Sequence, residues 1–170
     1  RSILAALLVL AAIPFRGAVG DSGNIVFGMD LTQHYSREMV NRRAFADTWI
    51  PLWNPYEFSG FPAQADPQIG IFYPPSILFR AFSVPGFLTA TVLFHVWMVG
   101  VGAYALCRQL GVRRLPATFG AFALMLSGIT LGRVYAGHLD VLRALGWTPL
   151  ALAAAVRSID RGLVRPSAGA

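Results

Sequence analysis

The sequence predicts an all-α fold: a multi-pass bundle of transmembrane helices that carries one large external loop. Three observations predict it. The chain of 170 residues is 55% hydrophobic and 13% charged, about half the charge of a soluble domain, and its mean hydropathy is +0.55. Four apolar stretches each approach the roughly 20 residues that cross a bilayer. All 14 basic residues are Arg, and they gather between apolar stretches, where cytoplasmic loops of membrane proteins concentrate positive charge. Disorder is excluded by the apolar content. A nucleic-acid binder, which the net charge of +6 would otherwise suggest, is excluded because the Arg residues flank apolar spans instead of forming one face. Cys107 is the single cysteine, so neither an intrachain disulfide nor a cysteine metal cage can form. The chain starts at Arg1 without Met and reads as a fragment of something longer.

The first span is expected at about 2–20, with Pro14 and Arg16 weakening its end. A competing reading is a signal peptide with Leu4 to Ile13 as its apolar region and cleavage near Ala18 or Gly20. The second span, 87–107, holds no formal charge and is the clearest. The third, 116–136, carries Arg133 near its end, where the side chain can snorkel. It also contains Gly128, Gly132 and Ala136, a small-residue row that would allow close helix packing. The fourth, 139–156, has Asp140 and Arg143 in its first turns.

Two spans separate the loop holding Arg108, Arg113 and Arg114 from the tail holding Arg157, Arg161 and Arg165. Both must lie on one side, and their charge makes that side cytoplasmic. Residues 21–85 then lie outside, with a net charge of −2 from four Arg and six acidic residues. This external segment is too long for a simple turn. Asp30 precedes Leu31-Thr32-Gln33 in a capping-box spacing, and Leu31, Tyr35 and Met39 recur at helical spacing, which predicts a short amphipathic helix at the membrane surface. The following stretch, Trp49 to Pro75, holds six of the eleven prolines together with Trp53, Tyr56, Phe58, Phe61, Phe72 and Tyr73. Proline forbids a long helix or central strand there, and the aromatics need burial, so a structured irregular loop is expected.

The candidate chemistry lies in polar groups near the external face. A carboxylate at Asp30 could act as a general base, or hold a divalent cation beside a phosphate, or simply cap the helix. His34 and Arg37 follow one and two turns along and could meet an anionic substrate, or form a solvated face. Asp66 and Gln68 stand in Ala65-Asp66-Pro67-Gln68, where Asp before Pro commonly caps a turn. Arg133, His138 and Asp140 cluster in the short loop between the third and fourth spans. Arg can bind phosphate in a bidentate way, and His138 could exchange a proton. His95, in mid-span, reads as interhelical glue.

Several of these stretches resemble one family. Gly28-Met29-Asp30-Leu31-Thr32-Gln33-His34-Tyr35, Pro51-Leu52-Trp53-Asn54-Pro55-Tyr56, Phe58-Ser59-Gly60-Phe61-Pro62, Ala65-Asp66-Pro67-Gln68 and Phe72-Tyr73-Pro74-Pro75 resemble, in order and spacing, motifs of the bacterial YfhO-like membrane protein family. Gly137-His138-Leu139 and Trp147-Thr148-Pro149-Leu150 extend the resemblance. It implies a GT-C-like bundle in the bacterial cytoplasmic (inner) membrane and a glycosyltransferase that moves a sugar from a polyprenyl-phosphate carrier to an acceptor outside. It further implies Asp30 as the active-site acid, with Arg133 and His138 toward the carrier phosphate and the aromatic-proline stretch walling the cleft. The implied partners are the lipid bilayer, the lipid-linked donor and an acceptor the sequence does not name. The alternative from another class is a non-catalytic membrane protein, a transporter or a cell-envelope assembly scaffold. A transporter places ionisable residues at mid-membrane, where only His95 is expected, and the polar groups at the external face favour transfer chemistry.

Overall fold

The computed structural model describes residues 2–17, 28, 30–48, 52–66, 68 and 70–162. The expected cleavage site near Ala18 or Gly20, Met29, Pro67 and the tail with Arg165 lie outside the described residues. The chain is mostly helical. It runs α1 (Ser2–Ala12), a 3-10 turn (Ile13–Phe15), α2 (Leu31–Thr48), strands β1 (Trp53–Asn54) and β2 (Phe61–Pro62), a 3-10 turn (Ala63–Ala65), α3 (Pro74–Phe79), α4 (Val84–Gln109), α5 (Arg114–Met125), α6 (Gly128–Ala136) and α7 (Leu139–Asp160).

Three stretches are long and apolar enough to cross a membrane: Val84–Gln109, Arg114–Ala136 and Leu139–Asp160. The second, third and fourth expected spans correspond to them. The first expected span does not reach that length, because the apolar helical run is Ile3–Phe15. Pro14 lies in the 3-10 turn that ends it, where the missing N–H stops an α-helix. The third span is interrupted at Leu126–Ser127. A break in an apolar span exposes backbone groups that lipid cannot satisfy, and two hydroxyls cover them here. Ser127 Oγ accepts from the Thr130 amide at 3.3 Å, and both hydroxyls donate to the Leu124 carbonyl at 2.8 Å.

The residues separate into two compact units. The first comprises Arg1–Pro14, Phe94–Gly132 and Val141–Ala170. Within it, glycines let helices approach closely. A Cβ at Gly102 would stand 2.8 Å from Pro149 Cγ, one at Gly146 3.3 Å from His95 Cδ2, and one at Gly100 3.0 Å from Met125 Sδ. The expected small-residue row is not what packs, since a Cβ at Gly128 or Gly132 meets nothing within 4 Å. Trp97 Nε1 donates to the Leu4 carbonyl at 3.2 Å, tying α4 to α1. His95 is fully buried, edge-on to Phe94 at 5.1 Å between ring centroids.

The second unit comprises Phe15–Leu93 and Arg133–Asp140. Its α2 differs from the amphipathic helix expected. Leu31, His34, Glu38 and Asn41 are buried, while Tyr35 and Met39 are exposed. The inward stripe is thus largely polar, and it holds because Glu38 is neutralised. Its Oε1 lies 2.9 Å from Arg42 Nε and 3.3 Å from Arg80 Nε. Arg80 also lies over the Phe45 ring at 4.5 Å, and Arg42 Nη1 donates to the Phe82 carbonyl at 2.7 Å. The proline-aromatic stretch is less irregular than expected. Trp53 pairs with Pro62 and Asn54 with Phe61 in a small antiparallel hairpin, so the fold is not purely helical. Phe58, Ser59 and Gly60 turn it with positive φ angles of 51°, 61° and 100°. Gly60 is required for a second reason: the Trp53 indole lies 2.8 Å from where its Cβ would be. After the hairpin, α3 begins on Pro74 and Pro75 at its first positions, where a missing N–H costs nothing.

Candidate functional site

The site is built where two glycine-bearing segments cross in the second unit. Asp30 N–H donates to the Ala136 carbonyl at 3.0 Å, and Leu31 N–H donates to the Gly28 carbonyl at 3.1 Å. A Cβ on Gly28 would lie 2.7 Å from Gly137 Cα, and one on Gly137 would lie 2.6 Å from Leu31 N and 2.7 Å from Asp30 N. Gly137 also has φ +81°, a conformation only glycine adopts readily. Both residues must therefore lack a side chain for the segment before α2 to lie against the end of α6.

That crossing brings Asp30 to His138 across more than a hundred residues of sequence. Asp30 Oδ2 lies 3.2 Å from His138 Nε2. On the far side of the ring, His138 Nδ1 lies 3.2 Å from Arg133 Nη1. Both members of the Asp30–His138 pair remain partly open to solvent, with side-chain exposures of 49% and 38%. Three candidates from two places in the sequence thus form one linked row of carboxylate, imidazole and guanidinium. Such a row can accept a proton, donate a hydrogen bond and compensate a developing anion.

The remaining candidates are placed differently. Arg37 is turned inward as a clasp between α2 and the hairpin region. Its Nη1 donates to Gln68 Oε1 at 2.6 Å. Its Nε lies 3.4 Å from Asp66 Oδ2 and 3.5 Å from Glu57 Oε2, ion-pair distances without hydrogen-bond alignment. Asp66 Oδ1 accepts from the Gln68 amide at 2.8 Å, the local turn that Asp supplies. Arg37, Asp66 and Gln68 therefore engage one another and do not join Asp30. His34 is buried on the inner side of α2. Asp140 stands half-buried in the first turn of α7, where a carboxylate meets the positive end of a helix dipole. Among the described residues no three His, Cys, Asp or Glu side chains gather to hold a metal ion.

Sequence reasoning missed Glu57, Glu38 and Arg80 as organising charges. Glu38 and Arg42 stand at the i,i+4 spacing of a helical ion pair, a local signal that could have found Glu38, whereas nothing local marks Arg80, which reaches Glu38 across 42 residues. It also missed a groove of about 670 Å³ along α2, lined by Tyr35, Ser36, Met39, Val40, Arg42, Arg43 and Tyr56. Arg43 donates to the Tyr56 hydroxyl at 3.1 Å there. Comparison with family models, curated proteins and solved structures found no match.

Proposed function

We propose that this chain carries part of the active site of a membrane glycosyltransferase, with Asp30 as the reacting carboxylate. The observation that carries the reading is the contact of Asp30 with His138, flanked by Arg133. In the proposed reaction an acceptor hydroxyl attacks the anomeric carbon of a polyprenyl-phosphate sugar. Asp30 takes the hydroxyl proton as the C–O bond forms. The bond between the anomeric carbon and the phosphate oxygen breaks, and the lipid phosphate leaves with the electron pair. A single displacement of this kind inverts the anomeric centre. The guanidinium of Arg133 has further N–H donors beyond the one engaged with His138, and these suit the departing phosphate. The groove along α2 supports the same reading, because Met39 and the tyrosine rings offer apolar surface beside Arg43, a combination that suits a phosphate joined to an apolar chain. The resemblance to the YfhO-like family and a place in the bacterial cytoplasmic membrane, with residues 21–85 outside, belong to this proposal.

The test is Asp30→Asn in membranes of the full-length protein, scored by turnover of polyprenyl-phosphate-linked sugar at matched abundance. Asn caps a helix about as well as Asp, so the change removes charge and spares the helix start. A fall of about a hundredfold or more is expected for loss of a general base. Unchanged turnover overturns the role of Asp30. A wild-type protein that turns over no lipid-linked sugar from a broad panel favours the transporter or scaffold reading.

A further inference from the structure

We propose that Arg133 is a positioning residue, which covers the bare Nδ1 of His138 and, together with Asp30, holds the tautomer that aims Nε2–H at that carboxylate. The inference rests on the reading of Asp30 as the reacting carboxylate, and it decides between two bases that the sequence left open. A guanidinium has only donors and no acceptor. With Arg133 Nη1 at 3.2 Å, His138 Nδ1 must present its lone pair to it. A neutral imidazole with a bare Nδ1 carries its hydrogen on Nε2, and that nitrogen lies 3.2 Å from Asp30 Oδ2, an acceptor. The contacts therefore run in one direction, from guanidinium to ring to carboxylate.

The local backbone holds this order. His138 N–H donates to the Arg133 carbonyl at 3.0 Å, and Gly137 N–H donates to the Val134 carbonyl at 3.0 Å. This closes the end of α6 so that two side chains five residues apart face each other. The consequence is chemical. The one lone pair of His138 that could take a proton is covered by Arg133, so His138 does not serve as the base. It holds one oxygen of Asp30, and the half-exposed carboxylate keeps its other oxygen for the substrate hydroxyl. Protonating His138 at Nδ1 would set two donors against each other and expel Arg133 from the ring.

Histidine-selective 15N NMR of the protein in detergent reads the tautomer without any turnover. The chain has three His, and His138→Gln identifies the signals of His138. The expected wild-type spectrum shows a bare Nδ1 and a protonated Nε2. In Arg133→Met Asp30 still accepts from Nε2–H, so the expected change is at Nδ1, whose signal should move as its hydrogen-bond donor is lost, with turnover falling about ten- to a hundredfold, the size of effect seen when a partner that orients an imidazole is removed. A wild-type spectrum with Nδ1–H or with averaged tautomers overturns the proposal, even if Arg133→Met fails to fold. So does a folded Arg133→Met protein whose Nδ1 signal is unchanged. If the Nδ1 signal shifts as expected but Asp30→Asn keeps full turnover, the contact stands and the reading of Asp30 as the reacting carboxylate falls.

Discussion

At the scale of single residues, α2 turns a carboxylate inward. Glu38 is 2% exposed and shares one oxygen between two guanidiniums, while Tyr35, Met39 and Phe58 face out. A buried charge is tolerated only when paired and hydrogen-bonded, and removing one partner from such a pair costs about 3–5 kcal/mol. Glu38→Gln leaves Arg42 and Arg80 without a counter-charge. Arg42 is 27% exposed and can shed part of that strain into solvent, so the expected loss is near the lower end, about 3 kcal/mol. Reversible unfolding in detergent measures it. A loss below about 1 kcal/mol, the value of a surface pair, would mean that the three side chains are solvated. The same logic explains why Arg37, Asp66 and Gln68 were only half legible. Their types were right for a polar site, but an Arg within 3.5 Å of two carboxylates and bonded to Gln68 is already engaged by the protein itself.

At the scale of helices, glycine spacing alone did not reveal which glycines pack. The Gly128–Gly132 row has the familiar spacing, yet a Cβ there meets open space, whereas Gly102 and Gly146 have none of that pattern and sit against neighbouring helices. Spacing says that two glycines share a face, but only the partner helix says whether that face is covered. Two substitutions separate the cases. Gly102→Ala would place a Cβ 2.8 Å from Pro149 Cγ and 3.0 Å from the Leu150 amide, an overpacking expected to cost about 1–3 kcal/mol. Gly132→Ala meets no such contact and should stabilise its helix by about 0.5–1 kcal/mol. Thermal unfolding of the two variants beside wild type checks the contrast, and equal effects would refute the packing assigned to α4 and α7.

For the whole molecule, the Arg residues of the loop after α4 and of the end of α7 share one compact unit, while the second unit holds acidic residues together with Arg37, Arg42, Arg43, Arg80 and Arg133. Arg108, Arg113, Arg114, Arg157 and Arg161 fall in the first unit, and Asp30, Glu38, Glu57, Asp66 and Asp140 in the second. If the three long apolar stretches cross a bilayer, the Arg-rich ends belong inside the cell and the hairpin outside. Cysteine labelling tests this in a Cys107→Ser background. Ser59→Cys, at the exposed hairpin turn, should react with a membrane-impermeant maleimide in intact cells. Arg113→Cys should react only after permeabilisation. The reverse pattern, or equal labelling, would overturn the orientation.

The sequence by itself determined the helical class and three of the apolar spans. These rest on composition and on local periodicity, which a chain carries wherever it folds. It did not determine the length of the first helix, the inner face of α2, the hairpin, or the break that Ser127 and Thr130 cover. Only the tertiary structure decided which candidates meet. Asp30 finds His138 because Gly28 and Gly137 let two backbones cross at distances no side chain would permit, and Arg37 is held instead by Glu57, Asp66 and Gln68. Contacts across such sequence distances follow from packing, and no spacing along the chain encodes them.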